Sequence, residues 1–195
     1  MTTEQQESLA DESALHASRQ QLDAALPHIQ ASPLDAGELQ LIVRRPAKGQ
    51  REVVSEAQLD EIRGLVGDNW LQRGSSATPN GSAHPDMQIN IMNARAIAAI
   101  AIEKSRWALA GDQLYIDLDL SEANLPPGTR LAIGDTLLEI SAEPHLGCKS
   151  FSGRFGRDAV MFVNSDIGKA LHLRGLNARI VRGGTVRTGD IARKV

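Results

Sequence analysis

A single cysteine stands in the 195-residue chain, in the run Glu143-Pro144-His145-Leu146-Gly147-Cys148-Lys149. Among side chains, a thiol has the widest chemical reach: as the thiolate it is a nucleophile and a soft-metal ligand. Lys149 beside it, with Arg154 and Arg157 close behind, favours the thiolate, because nearby cations stabilise the charged form. His145, three residues earlier, is of the type that shuttles protons, ligates metals or orients a partner that does. Pro144 and Gly147 break a strand ladder, which predicts that the thiol lies on a turn after the strand at 136–141. Residue type alone leaves an inert role open, since a lone cysteine often behaves as a small buried hydrophobe. His145-x-x-Cys148 is only half of a zinc site. One cysteine builds neither an internal disulfide nor a thiolate cluster.

Charge is divided around this residue. Residues 149–195 hold 10 of the 21 basic and only 3 of the 24 acidic side chains, although the whole chain is at −3. A basic segment favours anionic partners. Nucleic acid is poorly supported, because six aromatics in the chain leave few stacking platforms, and Gly153-Arg154-Phe155-Gly156 alone is a weak match to a backbone-clamping loop. No apolar run approaches the ~20 residues of a membrane span. The acidic, polar start of the chain lacks the features of a signal peptide, so the expected compartment is the reducing cytoplasm and no membrane partner is expected.

The elements that must position these residues read as an N-terminal extension and a mostly β core. Residues 4–26, with Leu9, Leu15, Leu22 and Leu26 on one face, predict a helix stopped by Pro27, within an extension spanning 1–35. A domain over 36–195 follows. Residues 38–45 read as a strand, residues 52–54 as its pairing partner, and Ser55 as the N-cap of a helix carrying Leu59, Ile62, Leu65 and Val66. A Gly/Ser/Pro-rich loop at 74–85 and a buried helix at 94–107 come next. Short strands are predicted at 113–118, 130–133, 136–141, 159–163, 178–181 and 185–187, punctuated by turn residues. This pattern predicts an antiparallel barrel or sandwich rather than a parallel βαβ sheet. Nucleotide-loop, metalloprotease and nucleophile-elbow motifs are absent.

Residues 134–190 resemble the MOSC domain, the C-terminal module of molybdenum cofactor sulfurases. The resemblance rests on Leu137-Leu138-Glu139-Ile140-Ser141 leading to Pro144-x-x-x-Cys148-Lys149, and on Arg154-Phe155-Gly156. It closes with Ala178-Arg179-Ile180-Val181-Arg182-Gly183-Gly184-Thr185-Val186-Arg187-Thr188-Gly189-Asp190. Upstream, Gly64-Leu65-Val66-Gly67-Asp68 resembles an early segment of the same domain, so coverage runs over about 37–195 and is dense from 128 onward.

The resemblance implies a mainly β (α+β) fold, a MOSC-type antiparallel β-barrel with peripheral helices, and a cysteine in a pocket. It implies that Cys148 ligates the molybdenum of a pterin cofactor (molybdopterin) or carries sulfur. The associated activity would be sulfur transfer or reduction of N-hydroxylated small molecules, with a cysteine desulfurase or a redox protein as partner. Pyridoxal phosphate belongs to the fused sulfurase partner in this family, and no aminotransferase-like domain fits in this chain. An anionic cofactor directs attention to Arg73, Arg154, Arg157, Arg174 and Arg179, as bidentate guanidiniums, and to Lys149 and Asn164. Two departures from the family pattern, His145 and Gly147 before the cysteine and Gly111-Asp112-Gln113 upstream, put reductase activity in doubt. The competing expectation is a non-catalytic module on the same fold that binds a small anionic ligand or a partner protein.

Overall fold

The structure is a computed structural model that describes residues 15–195. Its strands are β1 (Ala36–Arg44), β2 (Glu52–Val54), β3 (Glu56–Asp60), β4 (Gly64–Leu65), β5 (Ile89–Asn93), β6 (Leu114–Ile116), β7 (Arg130–Ile133), β8 (Thr136–Ile140), β9 (Leu176–Arg182), β10 (Gly184–Arg187) and β11 (Ile191–Lys194). Its helices are α1 (Arg19–Gln30), α2 (Trp70–Arg73), α3 (Ala94–Ala101), α4 (Lys149–Val163) and α5 (Asp166–Ala170).

Seven strands close a barrel in the order β1-β11-β7-β8-β9-β5-β6 and back to β1, with β2 added to the free side of β1. Closure removes the sheet edges that would otherwise expose unpaired backbone. Gly37 permits a close approach inside β1, since a Cβ there would lie 2.0 Å from the Asp117 carbonyl oxygen. All barrel pairings are antiparallel except β5 with β6. Two parallel neighbours need a crossover, and α3 with the 3-10 turns of Lys104–Ala110 supplies it. β3, β4 and β10 form a separate small sheet.

The barrel strands bury both faces. Ile42, Ile89, Ile91, Leu114 and Ile116 point into the barrel, while Val43, Met92 and Tyr115 from the same strands join a second cluster under the helices. That outer cluster holds Leu22 and Ile29 of α1, Ile97 and Ile100 of α3, and Phe151, Phe155 and Phe162 of α4. Each such side chain contributes about 1.5–3 kcal/mol on burial, which is what fixes α4 against the wall.

Several local expectations are corrected. The helix expected from Ser55 is the hairpin β3–β4: Ala57 and Leu59 alternate inward, and Ile62, which the helical face required inside, is 77% exposed at the turn. The strand expected at 159–163 is the second half of α4, whose buried positions Phe151, Phe155, Ala159 and Phe162 follow helical spacing. The helix at 94–107 ends at Ala101, where Ile102 takes a positive φ. Pro27 lies inside α1 rather than ending it, and Leu9 falls outside the described residues. The strands β5 and β11 fall where the sequence pattern predicts none.

Candidate functional site

After β8, Pro144 and Gly147 keep the chain out of the ladder, and Asn164 holds it there. The Gly147 N–H donates to Asn164 Oδ1 at 2.9 Å, and Asn164 Nδ2 donates back to the Gly147 carbonyl at 3.0 Å. Gly147 must be small, because a Cβ would sit 2.8 Å from Val163 Cγ2. The next residue, Cys148, is an extended N-cap of α4 and its side chain is exposed. The thiol is therefore on a strand-to-helix turn and is not a buried hydrophobe.

Partial burial pushes the Cys148 thiol up, but the backbone N–H groups of Phe151 and Ser150 and the charges of Arg174 and Arg154 outweigh it, so its pKa lies below the ordinary value. The first turn of α4 is aimed by a kink at Gly156 (φ 85°, ψ 171°), where the helix is interrupted. The Arg154 carbonyl beside the kink accepts from Arg106 Nη2 at 2.7 Å, and that guanidinium lies over the Phe155 ring.

Cys148 lines a cavity of about 380 Å³ that five arginines also line: Arg45, Arg51, Arg73, Arg154 and Arg174. Two of them are neutralised by buried carboxylates. Arg45, 5% exposed, grips Asp68 with Nε and Nη2 at 2.8 and 2.9 Å and donates from Nη1 to Asn90 and the Gly111 carbonyl. Arg174, 7% exposed, donates from Nη1 to Asp112 at 2.7 Å and from Nη2 to the Ala110 carbonyl, and stacks 4.8 Å over Phe151. Its buried Nε has no partner.

The other three have no carboxylate partner among the described residues. Arg154 Nη1 donates to the Leu109 carbonyl. Arg51 Nη1 donates to the Gln50 carbonyl, and its buried Nε is unpaired. Burial, then repulsion from Arg154 and Arg45, holds the Arg51 pKa below its ordinary value; burial and Arg45 do the same to Arg73. Crowded, partly desolvated guanidiniums without counter-charges form a site for an anion.

His145 also lines this cavity, and its Nδ1 is engaged. Asn90 Nδ2 donates to Nδ1 at 3.2 Å, and Nε2 faces Asp112 Oδ1 at 3.5 Å. Burial first, then the Arg174 charge, holds its pKa down to about 4, against the opposing pull of Asp112. The ring is neutral near pH 7 and braces Asn90 through Nδ1, while the buried Asp112 Oδ1 that Nε2 faces has no hydrogen-bond partner. Among the described residues no group of three or more His, Cys, Asp or Glu side chains is placed to hold a metal ion. A second cavity of about 570 Å³ shares Pro144, His145, Leu146 and Arg174 with the first.

Of the residues singled out in the sequence, Cys148, His145, Arg73, Arg154 and Arg174 meet at the cavity. Lys149 and Arg157 are exposed and do not line it, Asn164 holds Gly147, and Arg179 pairs with Glu139 on the barrel surface. Sequence reasoning missed Arg45, Arg51 and Asn90. Arg45 directly follows β1 and Arg51 returns across the turn, but no spacing ties them to a thiol about 100 residues away.

Among the described residues no helix is long and apolar enough to cross a membrane. No protein-family model matches the sequence, and no curated protein matches it. Solved structures share its fold. YuaD from Bacillus subtilis is 16% identical with a TM-score of 0.56, over 80% of this chain and 94% of that one. YiiM from Escherichia coli is 21% identical with a TM-score of 0.52, over 81% and 69%. A third, described only as a hypothetical protein, is 20% identical with a TM-score of 0.58, over 83% and 69%. YuaD and YiiM are MOSC-domain proteins, and the closed seven-stranded mixed barrel with peripheral helices is of that type, as the resemblance implied, with one parallel pair in place of an all-antiparallel ring.

Proposed function

We propose that on this MOSC-type barrel the Cys148 cavity binds an anionic pterin cofactor carrying molybdenum, with the thiolate as metal ligand or sulfur carrier. The observation that carries the reading is the meeting of an exposed, acidified thiol with three guanidiniums that lack carboxylates. The residues fit such a group. Buried Nε atoms of Arg51 and Arg174 await acceptors, and a cofactor phosphate offers them. A thiolate is a suitable soft ligand, and with no cluster of protein ligands around it a metal there would need its other donors from an organic carrier.

When bound, the cofactor would supply two-electron or sulfur chemistry. The chain's own part is positional. Arg51, Arg73 and Arg154 bind the anionic end, Arg45 and Arg174 are held rigid by Asp68 and Asp112, and Cys148 presents sulfur at the helix start. The neighbouring cavity offers room for a small-molecule substrate next to the first. His145 is neutral near pH 7 and accepts from Asn90 at Nδ1, and Cys148 is the group of the pair suited to metal ligation or sulfur carriage. A carrier role would take sulfur from a cysteine desulfurase; a reductase role would need a redox partner.

The test is metal analysis and pterin fluorescence on protein from a host that makes the cofactor. Near-stoichiometric molybdenum and pterin are expected, with Cys148→Ser losing the metal and Arg51→Gln losing the pterin. Absence of both from the wild-type chain overturns the cofactor reading. The second reading, a non-catalytic module for a small anionic ligand, rests on the same arginines without the thiol. Anion binding unaffected by Cys148→Ser, with neither metal nor persulfide found, would favour it.

A further inference from the structure

The two neighbouring cavities are opposite in charge. Among the described residues, five arginines and no carboxylate line the Cys148 cavity, whereas Glu122, Glu143 and Asp166 line the second. Arg174 reaches both but is paired with buried Asp112, and Lys169 lies three positions after Asp166 on α5, where the two offset each other. Glu143 faces His84 Nε2 at 3.8 Å. Glu122 has no basic partner among the described residues. Leu125, Ile140, Val163 and Leu176, each at most 3% exposed, supply an apolar lining.

His172 lines the same cavity on a segment bonded to that of Glu122. The Glu122 N–H donates to the Ala170 carbonyl at 3.0 Å, and His172 Nδ1 lies 2.7 Å from the Leu120 carbonyl. A carbonyl oxygen only accepts, so Nδ1 carries the proton and the neutral ring keeps a lone pair on Nε2. That nitrogen has no partner among the described residues. The backbone holds His172 at φ 47°, a left-handed conformation uncommon outside glycine, and the Gly175 N–H closes on its carbonyl at 2.7 Å.

We infer that the second cavity binds an organic ammonium ion with an apolar body, its N–H groups taken by the Glu122 carboxylate and His172 Nε2, which deepens the reading above of this cavity as a substrate site. Two acceptors on adjoining segments, one of them anionic, call for a group that only donates, and an ammonium has three N–H donors and no acceptor. A ligand carboxylate would meet Glu122 with like charge and offer His172 no proton. The volume of about 570 Å³ and the apolar lining suit a small ring or chain attached to the ammonium. The same contrast in charge sorts ligands between the two cavities: an anion is drawn to the arginines and repelled by Glu122, and a cation the reverse. Ammonium binding needs no cofactor, so it is measured independently of the molybdenum and pterin content.

The probes are phenethylamine, its alcohol isostere 2-phenylethanol and its anionic counterpart 3-phenylpropionate, titrated calorimetrically into the full chain near neutral pH at fixed ionic strength. Phenethylamine is expected to bind about tenfold more tightly than the alcohol, with 3-phenylpropionate the weakest. Glu122→Gln, at an exposed position, is expected to collapse the preference for amine over alcohol. His172→Asn, a residue type that tolerates a positive φ, is expected to weaken amine and alcohol alike about fivefold. Glu56→Gln removes the same charge from a residue that lines neither cavity and is expected to leave the preference intact. A preference that survives Glu122→Gln, or that Glu56→Gln lowers equally, overturns the ammonium assignment, as does 3-phenylpropionate binding as tightly as the amine. Binding of none of the three overturns the cavity as a ligand site and leaves the Cys148 cavity to its own test. Circular dichroism identifies any loss of folding in His172→Asn, and Glu122→Gln then decides alone.

Discussion

Arg174 and Asp112 form a buried pair, 2.7 Å apart and almost wholly shielded from solvent, that ties the turn leading into β9 to the segment before β6 at the Cys148 cavity. Removing one charge from such a pair leaves the other stranded in low dielectric. Asp112→Asn is expected to cost about 3–5 kcal/mol in chemical denaturation. It also removes the carboxylate that pulls the His145 pKa upward, so imidazole titration followed by NMR should move further down. A loss below about 1 kcal/mol would show that the pair does not hold this wall.

Cys148 should alkylate as a low-pKa thiol. With its acidity raised by the Phe151 and Ser150 N–H groups and by Arg174 and Arg154, the pH midpoint of its reaction with iodoacetamide is expected below that of the same cysteine in the unfolded chain. Arg154→Gln is expected to move that midpoint upward. A midpoint at or above that of the unfolded chain would contradict the electrostatic account.

His145 makes stability depend on pH in a defined direction. Its folded pKa of about 4 lies below the unfolded value of 6.5, so between them the unfolded chain binds the proton and the folded chain does not. Stability is full above pH 6.5 and falls as pH drops toward 4, by up to about 3 kcal/mol. In His145→Gln that part of the pH dependence should vanish. An unchanged slope in urea denaturation between pH 6.5 and 4 would assign the effect to other groups.

Gly156 holds the kink of α4 at a φ that side chains rarely adopt, and a Cβ there would lie 3.0 Å from the His16 ring. Gly156→Ala is expected to destabilise the chain by about 1–3 kcal/mol. Straightening would also move the first turn of the helix, so Cys148 alkylation should change in rate. A neutral effect on both would show that the kink positions nothing.

The legibility of this chain in sequence followed the range of the interactions involved. β7 and β8 are adjacent strands with a tight turn, and their pattern gave their bounds almost to the residue. The helical repeat of Phe151, Phe155, Ala159 and Phe162 was present but masked by Gly153 and Gly156, which made the β-branched and aromatic run at 159–163 look like a strand. In β5 every residue is buried, and its polar Asn90 and Asn93, paired inside the fold, hide a buried strand from an apolar pattern. Gly64-Leu65 and Ser55 suited a capped helix locally; pairing with β10, more than 120 residues away, made that segment a hairpin.

The sequence by itself determined that one thiol would sit at a break after a strand, beside basic residues, on a mostly β framework. Residue type, breakers and charge are local properties and need no partner to be read. Only the tertiary structure decided which arginines share the thiol's cavity. Arg45 and Arg51 arrive there from the first strand and its turn, Arg73 from α2 and Arg174 from the approach to β9, while Arg157, only nine residues from the thiol, does not line it and Arg179 pairs with Glu139. Barrel closure brings distant strand ends together, and side-chain direction on helix and strand then selects which charges face one cavity.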